Sequence, residues 1–269
     1  IFPRAVSTLP PMPTEIKPHP YGVELGIMQK MLKDTESRTL QSFLSAEFSR
    51  VGSGTARLIC ENASLLPGTK PGEMSREMVE KLMEGVKKTK LIAPPTDCIS
   101  PIGADQLEKG LRKEVTAEFY ATTTRPASVY RGNPFAVEAG VAYGGSQHAE
   151  ETIRLLRFAN RVPLLYQQGA CAITKSVAST SWKNYGLNQS RGAMPAGPLA
   201  IVVHIASVWV PFTSESKEAI AHYPEIIKEV KLALQEVGRK LGLYINKKVR
   251  MKNQAERANM FQVYIPEVA

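Results

Sequence analysis

The sequence of 269 residues predicts an α+β fold, in which a helical N-terminal part precedes a mixed α/β layer and one very long helix. Between residues 18 and 93 the apolar residues recur at helical spacing, in several short segments. The apolar run PLAIVVHIASVWV at 198–210 is typical of a strand covered on both faces. From Ile227 to Ile245 apolar residues alternate at three- and four-residue spacing, which indicates one continuous helix. The length and these changes of pattern favour two domains.

Four groups of apolar positions predict four helices in the N-terminal part. The groups are Val23, Ile27, Met31 and Leu32; Leu40, Phe43, Leu44 and Phe48; Ala56, Ile59 and Ala63; and Met78, Leu82 and Val86. Asp34 and Ser75 precede two of these segments and are predicted N-caps. The paired prolines of IAPPTDC cannot continue a helix, so this part is expected to end near residue 96.

The segments that follow predict a sheet with helices on it. A short helix is expected at 105–112, strands at FAVEAGVAY and TIRLLRFAN, and a second helix within QQGACAITKSVAST. The stretch SWKNYGLNQSRGAMPAG is expected to be a loop, because it combines turn residues with no apolar period.

The C-terminal helix is predicted to run from residue 224 to Pro266, roughly 40 residues against the usual 11 or 12. A helix of that length must project beyond the domain that covers its first half. Between residues 228 and 257 it carries nine basic residues and three acidic ones. We expect the projecting part to contact a partner.

Composition and cysteine content restrict the class of protein. The 34 basic and 25 acidic residues give a net charge of +9, which favours an acidic partner such as nucleic acid. Cys60, Cys98 and Cys171 lack paired spacing, so neither a disulfide framework nor a metal site is expected. A protein of the reducing cytosol is the expectation instead. No apolar run is long enough for a transmembrane helix. The proline-rich opening IFPRAVSTLPPMP is typical of a linker.

Lys217, in PFTSESKEAIA, is the first candidate functional residue. The pattern places it where the apolar strand turns into a helix, and a cation is electrostatically misplaced in the first turn of a helix. Either Glu215 and Glu218 balance its charge, or an anion binds there. The residues alone leave both explanations open.

The glycine pair in EFSRVGSGTARLI is the second candidate. Gly52 and Gly54 stand between two predicted helices, where backbone N–H groups could approach a phosphate that Arg50 and Arg57 would flank. The alternative is a tight turn with glycine in the left-handed conformation.

The stretch SWKNYGL is the third candidate. Trp182 and Tyr185 could stack on nucleic acid while Lys183 meets phosphate. Trp182 could equally be a core residue that caps the preceding helix. No Ser/His/Asp or Cys/His grouping, paired carboxylates or nucleotide-binding glycine loop appears, so the residues predict a basic two-domain scaffold without a catalytic set.

Most of residues 19–245 resemble the B-subunit family of DNA topoisomerase VI, the ATP-driven type IIB topoisomerases of archaea. The matching stretches are PHPYGVELG, EFSRVGSGTA, APPTDCISPIG, TRPASVYRGNPF, LLRFANRVPLLYQQGACAITK, SWKNYGL, VPFTSESKEAIA and LALQEVGRKL. As a set they are highly specific for this family.

The resemblance implies a domain organisation. It implies a linker at 1–18, a helix-two-turns-helix domain at 19–96, a transducer domain with a ribosomal-protein-like βαβ fold at 97–260, and a tail at 261–269. The family's ATPase domain of the GHKL type would precede Ile1, so this piece alone is expected to be inactive.

The resemblance also implies function. In the family a switch lysine, here Lys217, meets the terminal phosphate of ATP, and the W-K-x-Y loop, here Trp182, Lys183 and Tyr185, contacts DNA. ATP and Mg²⁺ would bind the complete protein, mainly through the absent domain. The implied partners are the A subunit, in a heterotetramer of two A and two B subunits, a second B subunit and double-stranded DNA, in the cytoplasm at the nucleoid. The alternatives are a stand-alone nucleic-acid-binding module and an adaptor whose long helix recruits a partner.

Overall fold

A computed structural model describes the chain over residues 5–147 and 151–268, and its side chains as far as residue 257. In these residues the α-helices are α1 (Leu25–Asp34), α2 (Leu40–Glu47), α3 (Ser53–Asn62), α4 (Arg76–Lys88), α5 (Ala104–Glu114), α6 (Ala172–Ser179) and α7 (Pro224–Val268). The strands are β1 (Phe119–Thr124), β2 (Ser128–Tyr130), β3 (Asn133–Tyr143), β4 (Arg154–Ala159), β5 (Val162–Pro163) and β6 (Leu199–Ser207). The predicted combination of helices, a mixed sheet and a long C-terminal helix is confirmed.

Helices α1 to α4 form a helical unit with a hydrophobic core of its own. The second and third predicted apolar faces are buried in it, as are Leu82 and Val86 of the fourth. On α1, however, Met28 is buried and Ile27 is 54% exposed. Met28 and Leu32 lie four residues apart and so share one helix face, from which Ile27 is turned away.

The two predicted N-caps of the helical unit have different outcomes. Ser75 accepts a hydrogen bond from the Met78 amide at 3.3 Å, so this prediction is confirmed. The prediction that Asp34 is an N-cap is wrong, because Asp34 is the last residue of α1. The N-cap of the next helix is Thr39, five residues later, which forms a reciprocal capping box with Ser42. The domain boundary near residue 96 stays a prediction.

The sheet has the order β1-β3-β6-β4-β5, with β2 paired to β3. Only β4 and β6 are parallel among these pairs. All nine residues of β6 are buried, which confirms the predicted strand with two covered faces. Ile201 and Val203 face the core with α6 and α7, while Ala200 and Val202 face the core with α5. The sheet therefore lies between two helical layers.

Strands β1 and β2 were not predicted. β1 reads FYATTT and buries Thr122 and Thr123 along with Ala121, so its hydrophobic alternation is weak. β2 has three residues, too few for a period to show. Both strands exist because β3 offers them a partner along its length.

Helix α7 spans 45 residues, from Pro224 to Val268. Its side chains from Ile226 to Ile245 repeatedly enter the core, whereas every side chain from residue 246 to 257 is exposed. The prediction that the helix projects beyond the domain is therefore confirmed. It continues two residues past Pro266, so the predicted tail at 261–269 is helical as far as Val268; its side chains lie outside the described residues.

Polar contacts fasten α7 to the residues directly before and after the edge strand β1. Arg125 forms an ion pair with Glu229 at 2.9 Å, and both side chains are largely buried. Near the point where α7 leaves the domain, Lys248 donates to Glu118 at 2.5 Å. Because these contacts lie at both ends of the packed half, α7 is held in one direction relative to the sheet.

Glu138 of β3 is a fully buried carboxylate that ties the segment before α5 to the sheet. It accepts hydrogen bonds from the Ile102 and Gly103 amides at 2.7 and 2.6 Å, and from the Thr124 hydroxyl at 2.7 Å. His204 Nδ1 lies 2.7 Å from the same carboxylate. Every oxygen of this buried charge is therefore satisfied, as burial requires.

The tautomer of His204 follows from its second contact. The Arg161 amide donates to His204 Nε2 at 3.0 Å, so Nε2 accepts and Nδ1 carries the hydrogen that is donated to Glu138. Burial alone would raise the pKa of Glu138, but the hydrogen bonds from His204, Thr124 and Ile102 outweigh it and hold the pKa below its usual value of 4.5.

Glu138→Gln is expected to lower the free energy of unfolding at pH 7 by about 1–3 kcal/mol, because an amide N–H would face a backbone N–H. Since the folded-state pKa is depressed, the stabilisation by Glu138 is present above pH 4.5 and is lost as the pH falls below it. Urea unfolding at pH 7 and at pH 3.5 should show a smaller difference between the two proteins at the lower pH. Glu61→Gln, at an exposed ion pair, is the control.

Candidate functional site

Lys217 lies at the tip of a hairpin that connects β6 to α7. Phe212 and Ile220 form an antiparallel bridge, and the Thr213 amide donates to the Ala219 carbonyl at 2.9 Å. The prediction that Lys217 begins a helix is therefore wrong. α7 starts seven residues later at Pro224, whose fixed φ suits the first position of a helix.

The base of this hairpin is anchored in the core and its tip is exposed. Ala219 and Ile220 are buried, and the Ala172 amide at the start of α6 donates to the Ile220 carbonyl at 2.8 Å. Residues 213–217 are exposed. The hairpin thus presents Lys217 to solvent from a fixed support.

The backbone of Lys217 is in the left-handed region, with φ of 56°. Its amide donates to the Ser214 carbonyl at 3.2 Å, so it follows a tight turn at a position that glycine usually occupies. A residue with a Cβ atom there costs about 1 kcal/mol. The local backbone therefore gives no reason for a lysine, which points to a function of its side chain.

The charge of Lys217 has no internal partner in the described part of the chain. The ion pairs found there include neither Lys217 nor its neighbours Glu215 and Glu218. The explanation that these glutamates balance the lysine therefore finds no support. The ammonium group is available to an anion from outside the chain.

Trp182 begins a 3-10 turn, Trp182–Tyr185, and is completely buried. Its indole Nε1 donates to the Val177 carbonyl in α6 at 2.9 Å, and its ring meets Tyr185 edge to face at 5.9 Å. The prediction that Trp182 stacks on nucleic acid is wrong, because the ring lies between α6 and the rest of the core. The alternative, a core residue capping the preceding helix, is confirmed.

Tyr185 is half-buried against α7. A Cβ atom on Gly238 would lie 2.5 Å from Tyr185 Cε2, so the ring occupies the space that this glycine leaves. The ring is thus committed to internal packing and is not presented for stacking either. Lys183 and Asn184 are exposed, so the loop offers a cation to the surface.

The glycine pair lies at the start of α3. Gly52 is the N-cap, with an extended backbone, and Gly54 is in the first turn. Neither has a positive φ, so the alternative of left-handed glycines is wrong; Arg50 adopts that conformation instead, with φ of 62°. A Cβ atom on either glycine would meet nothing within 4 Å, so no internal packing requires them. Arg57 pairs with Glu61 at 3.1 Å.

Sequence reasoning missed Arg131, whose guanidinium lies over the rings of Tyr130 and Tyr223. Two strand-like runs separated by Arg-Gly in VYRGNPF are the signal that could have indicated its turn.

Within residues 5–147 and 151–268, no group of three His, Cys, Asp or Glu side chains is arranged to hold a metal ion. Over the same residues, no helix combines the length and the apolar content needed to cross a bilayer. Cys60, Cys98 and Cys171 are buried free thiols.

Residues 94–257 match the family model of the topoisomerase VI B subunit, transducer. The whole chain is 51% identical to the B subunit of type 2 DNA topoisomerase 6 from Methanococcoides burtonii and 49% identical to that from Methanosarcina mazei. It covers 43% of each, so it spans less than half the length of these relatives. The crystal structure of the DNA gyrase B-subunit from Myxococcus xanthus aligns with a TM-score of 0.34 and 18% identity, over 51% of this chain and 44% of that chain. That similarity is too low to support an inference.

Proposed function

Because this chain belongs to the topoisomerase VI B-subunit family, through its transducer, we propose that it couples ATP turnover to DNA strand passage in a type IIB topoisomerase. The observation that carries the proposal is Lys217, an exposed lysine in a left-handed position at the tip of an anchored hairpin.

Lys217 contacts the terminal phosphate of an ATP that is bound mainly by an ATPase domain outside this chain. The attraction is between its ammonium group and the phosphate alone, because the hairpin places no helix N-terminus at the lysine. The described residues fit this single role: they supply a cation for phosphate, whereas the nucleotide pocket and the Mg²⁺ ligands would lie in the other domain. ATP with Mg²⁺ supplies the reactive phosphoanhydride bond when bound.

Helix α7 carries the resulting movement outward. The base of the hairpin closes at Ala221, three residues before Pro224, and Lys248 fastens α7 to Glu118, directly before β1. When the terminal phosphate is lost, the attraction to Lys217 is lost too, and the sheet with its helix is free to rotate relative to the ATPase domain. The projecting half of α7 moves through the largest distance.

DNA contact in this proposal depends on phosphate rather than on stacking. Lys183 is presented at the surface beside α7, and Arg50, Gly52 and Gly54 form an open end of α3, with Arg57 one turn further on. Such contacts hold the DNA backbone without reading sequence. We further propose that the helical unit is a helix-two-turns-helix domain.

The proposed assembly is a heterotetramer of two A and two B subunits on double-stranded DNA, in the cytoplasm at the nucleoid. The A subunit docks at the far end of α7, whose exposed segment 246–257 carries five basic residues and one acidic residue. A second B subunit completes the gate through which one duplex passes.

The test is relaxation of supercoiled plasmid by the complete B subunit assembled with its A subunit. We expect relaxation that requires ATP and stops after one round with a non-hydrolysable analogue. Relaxation at the same rate without nucleotide would contradict the proposal. DNA binding by this chain without any ATP-dependent activity of the assembly would instead support the stand-alone nucleic-acid-binding module.

A further inference from the structure

The turn between β2 and β3 has an unexpected residue at its first position. Arg131 and Gly132 both have positive φ, 46° and 73°, as a type I′ two-residue hairpin requires. Asparagine or glycine is favoured at the first position, and arginine is strained there. As with Lys217, the turn itself gives no reason for the side chain that is present.

The guanidinium of Arg131 lies over two aromatic rings. It is 5.5 Å from the centroid of Tyr130 and 5.4 Å from that of Tyr223, and the two rings are 4.3 Å apart. Trp209, just after the end of β6, stacks on Tyr130 at 6.1 Å. A cation over aromatic faces is attracted to both, so Arg131 holds the β2–β3 turn and Tyr223 together.

The same turn is in close contact with His19–Gly22, the segment that leads into α1 of the helical unit. A Cβ atom on Gly132 would lie 2.8 Å from both the Gly22 amide nitrogen and His19 Nδ1. A Cβ atom on Gly22 would lie 3.0 Å from the Arg131 carbonyl oxygen. His19 is itself fixed, because its Nδ1 accepts from the Tyr21 amide and its Nε2 then donates to the Ile92 carbonyl at 3.1 Å. The backbone of the turn is therefore in direct contact with His19–Gly22.

Tyr223 connects this cluster to the Lys217 hairpin. It lies two residues after Ala221, whose amide donates to the Pro211 carbonyl at 2.8 Å and closes the base of the hairpin. Its carbonyl accepts from the Ile227 amide at 2.9 Å in the first turn of α7. A displacement of Tyr223 is therefore a displacement of both the hairpin and the start of α7.

We propose that Arg131 is a positioning residue that couples the helical unit to the Lys217 hairpin. A movement of His19–Gly22 displaces the β2–β3 turn, and Arg131 passes this displacement to Tyr223. The consequence for ATP turnover rests on the function proposed for Lys217; the mechanical coupling does not. A partner that moves the helical unit thereby alters the position of the lysine.

Arg131→Asn in the complete B subunit tests the coupling without endangering the fold, because asparagine suits the first position of a type I′ turn. We expect the amides of residues 19–23 and 219–223 to exchange hydrogen about tenfold faster, since the cation–aromatic attraction is lost. The exchange is measured without nucleotide. Arg131→Lys retains a cation and should largely restore slow exchange.

The matched control is Arg161→Asn, at φ of 69° in the two-residue β4–β5 turn. It should leave the hydrogen exchange of both segments unchanged. In the same protein Arg131→Asn should lower kcat for ATP about tenfold and leave KM unaltered, while Arg161→Asn should alter neither.

If hydrogen exchange in either segment is unchanged in Arg131→Asn, the proposed coupling is overturned. The coupling is also overturned if Arg161→Asn accelerates exchange as much as Arg131→Asn does. Faster exchange in both segments with an unaltered kcat supports the coupling and instead contradicts the function proposed for Lys217. The two failures are therefore distinguishable.

Discussion

Replacing Lys217 with glycine is expected to stabilise the complete B subunit slightly while lowering its ATP turnover about 100-fold. Glycine adopts the observed φ of 56° without strain, so the free energy of unfolding should rise by up to about 1 kcal/mol. The loss of a cation from a developing phosphate charge costs about 100-fold or more in rate. Thermal unfolding and steady-state ATP hydrolysis measure the two effects on one preparation.

The matched control is Ser64→Gly, an exposed residue with φ of 55° in the helical unit. It should give a similar gain in stability with unaltered ATP turnover. If Lys217→Gly hydrolyses ATP at the normal rate, Lys217 is not the group that meets the phosphate. A loss of stability in that variant would show that the lysine side chain has internal contacts.

Replacing Trp182 with alanine is expected to lower the free energy of unfolding by about 3–5 kcal/mol, because it leaves a cavity between α6 and the core. It also removes the hydrogen bond to the Val177 carbonyl.

Lys183→Ala, one residue away, should not alter stability, since the Lys183 side chain is exposed. The Lys183→Ala variant should bind DNA more weakly. The slope of log affinity against log salt concentration should become shallower by about one unit.

Urea unfolding and fluorescence anisotropy over a salt series separate these two roles. Trp182→Phe is the intermediate variant, and it should lose less stability than Trp182→Ala because it keeps part of the ring volume. A stable Trp182→Ala variant with weakened DNA binding would contradict the burial of the indole and return Trp182 to the DNA surface.

Elements whose patterns are local and repetitive could be predicted from the sequence. Helix α7 was predicted from its apolar spacing, β6 from its continuous apolar run, and α2 and α3 from their apolar faces. The family resemblance, which depends only on the order of residues, is confirmed by the match of residues 94–257. Strand β1 was missed because its last three residues are threonines, two of them buried, so apolar and polar residues do not alternate along it.

The sequence by itself determined the helical N-terminal part, the buried strand β6, the projecting basic helix and the family, because each depends on residues close together in the chain. Tertiary structure decided the environment of the candidate residues. Trp182 is buried because α6, β6 and α7, which are distant in the chain, enclose one core. Tyr185 packs against α7 because Gly238 leaves room for its ring. Lys217 lies on a hairpin rather than a helix because Phe212 pairs with Ile220 before Pro224 can start α7. Spacing along the chain does not encode such contacts, since they depend on which surfaces the folded elements present to one another.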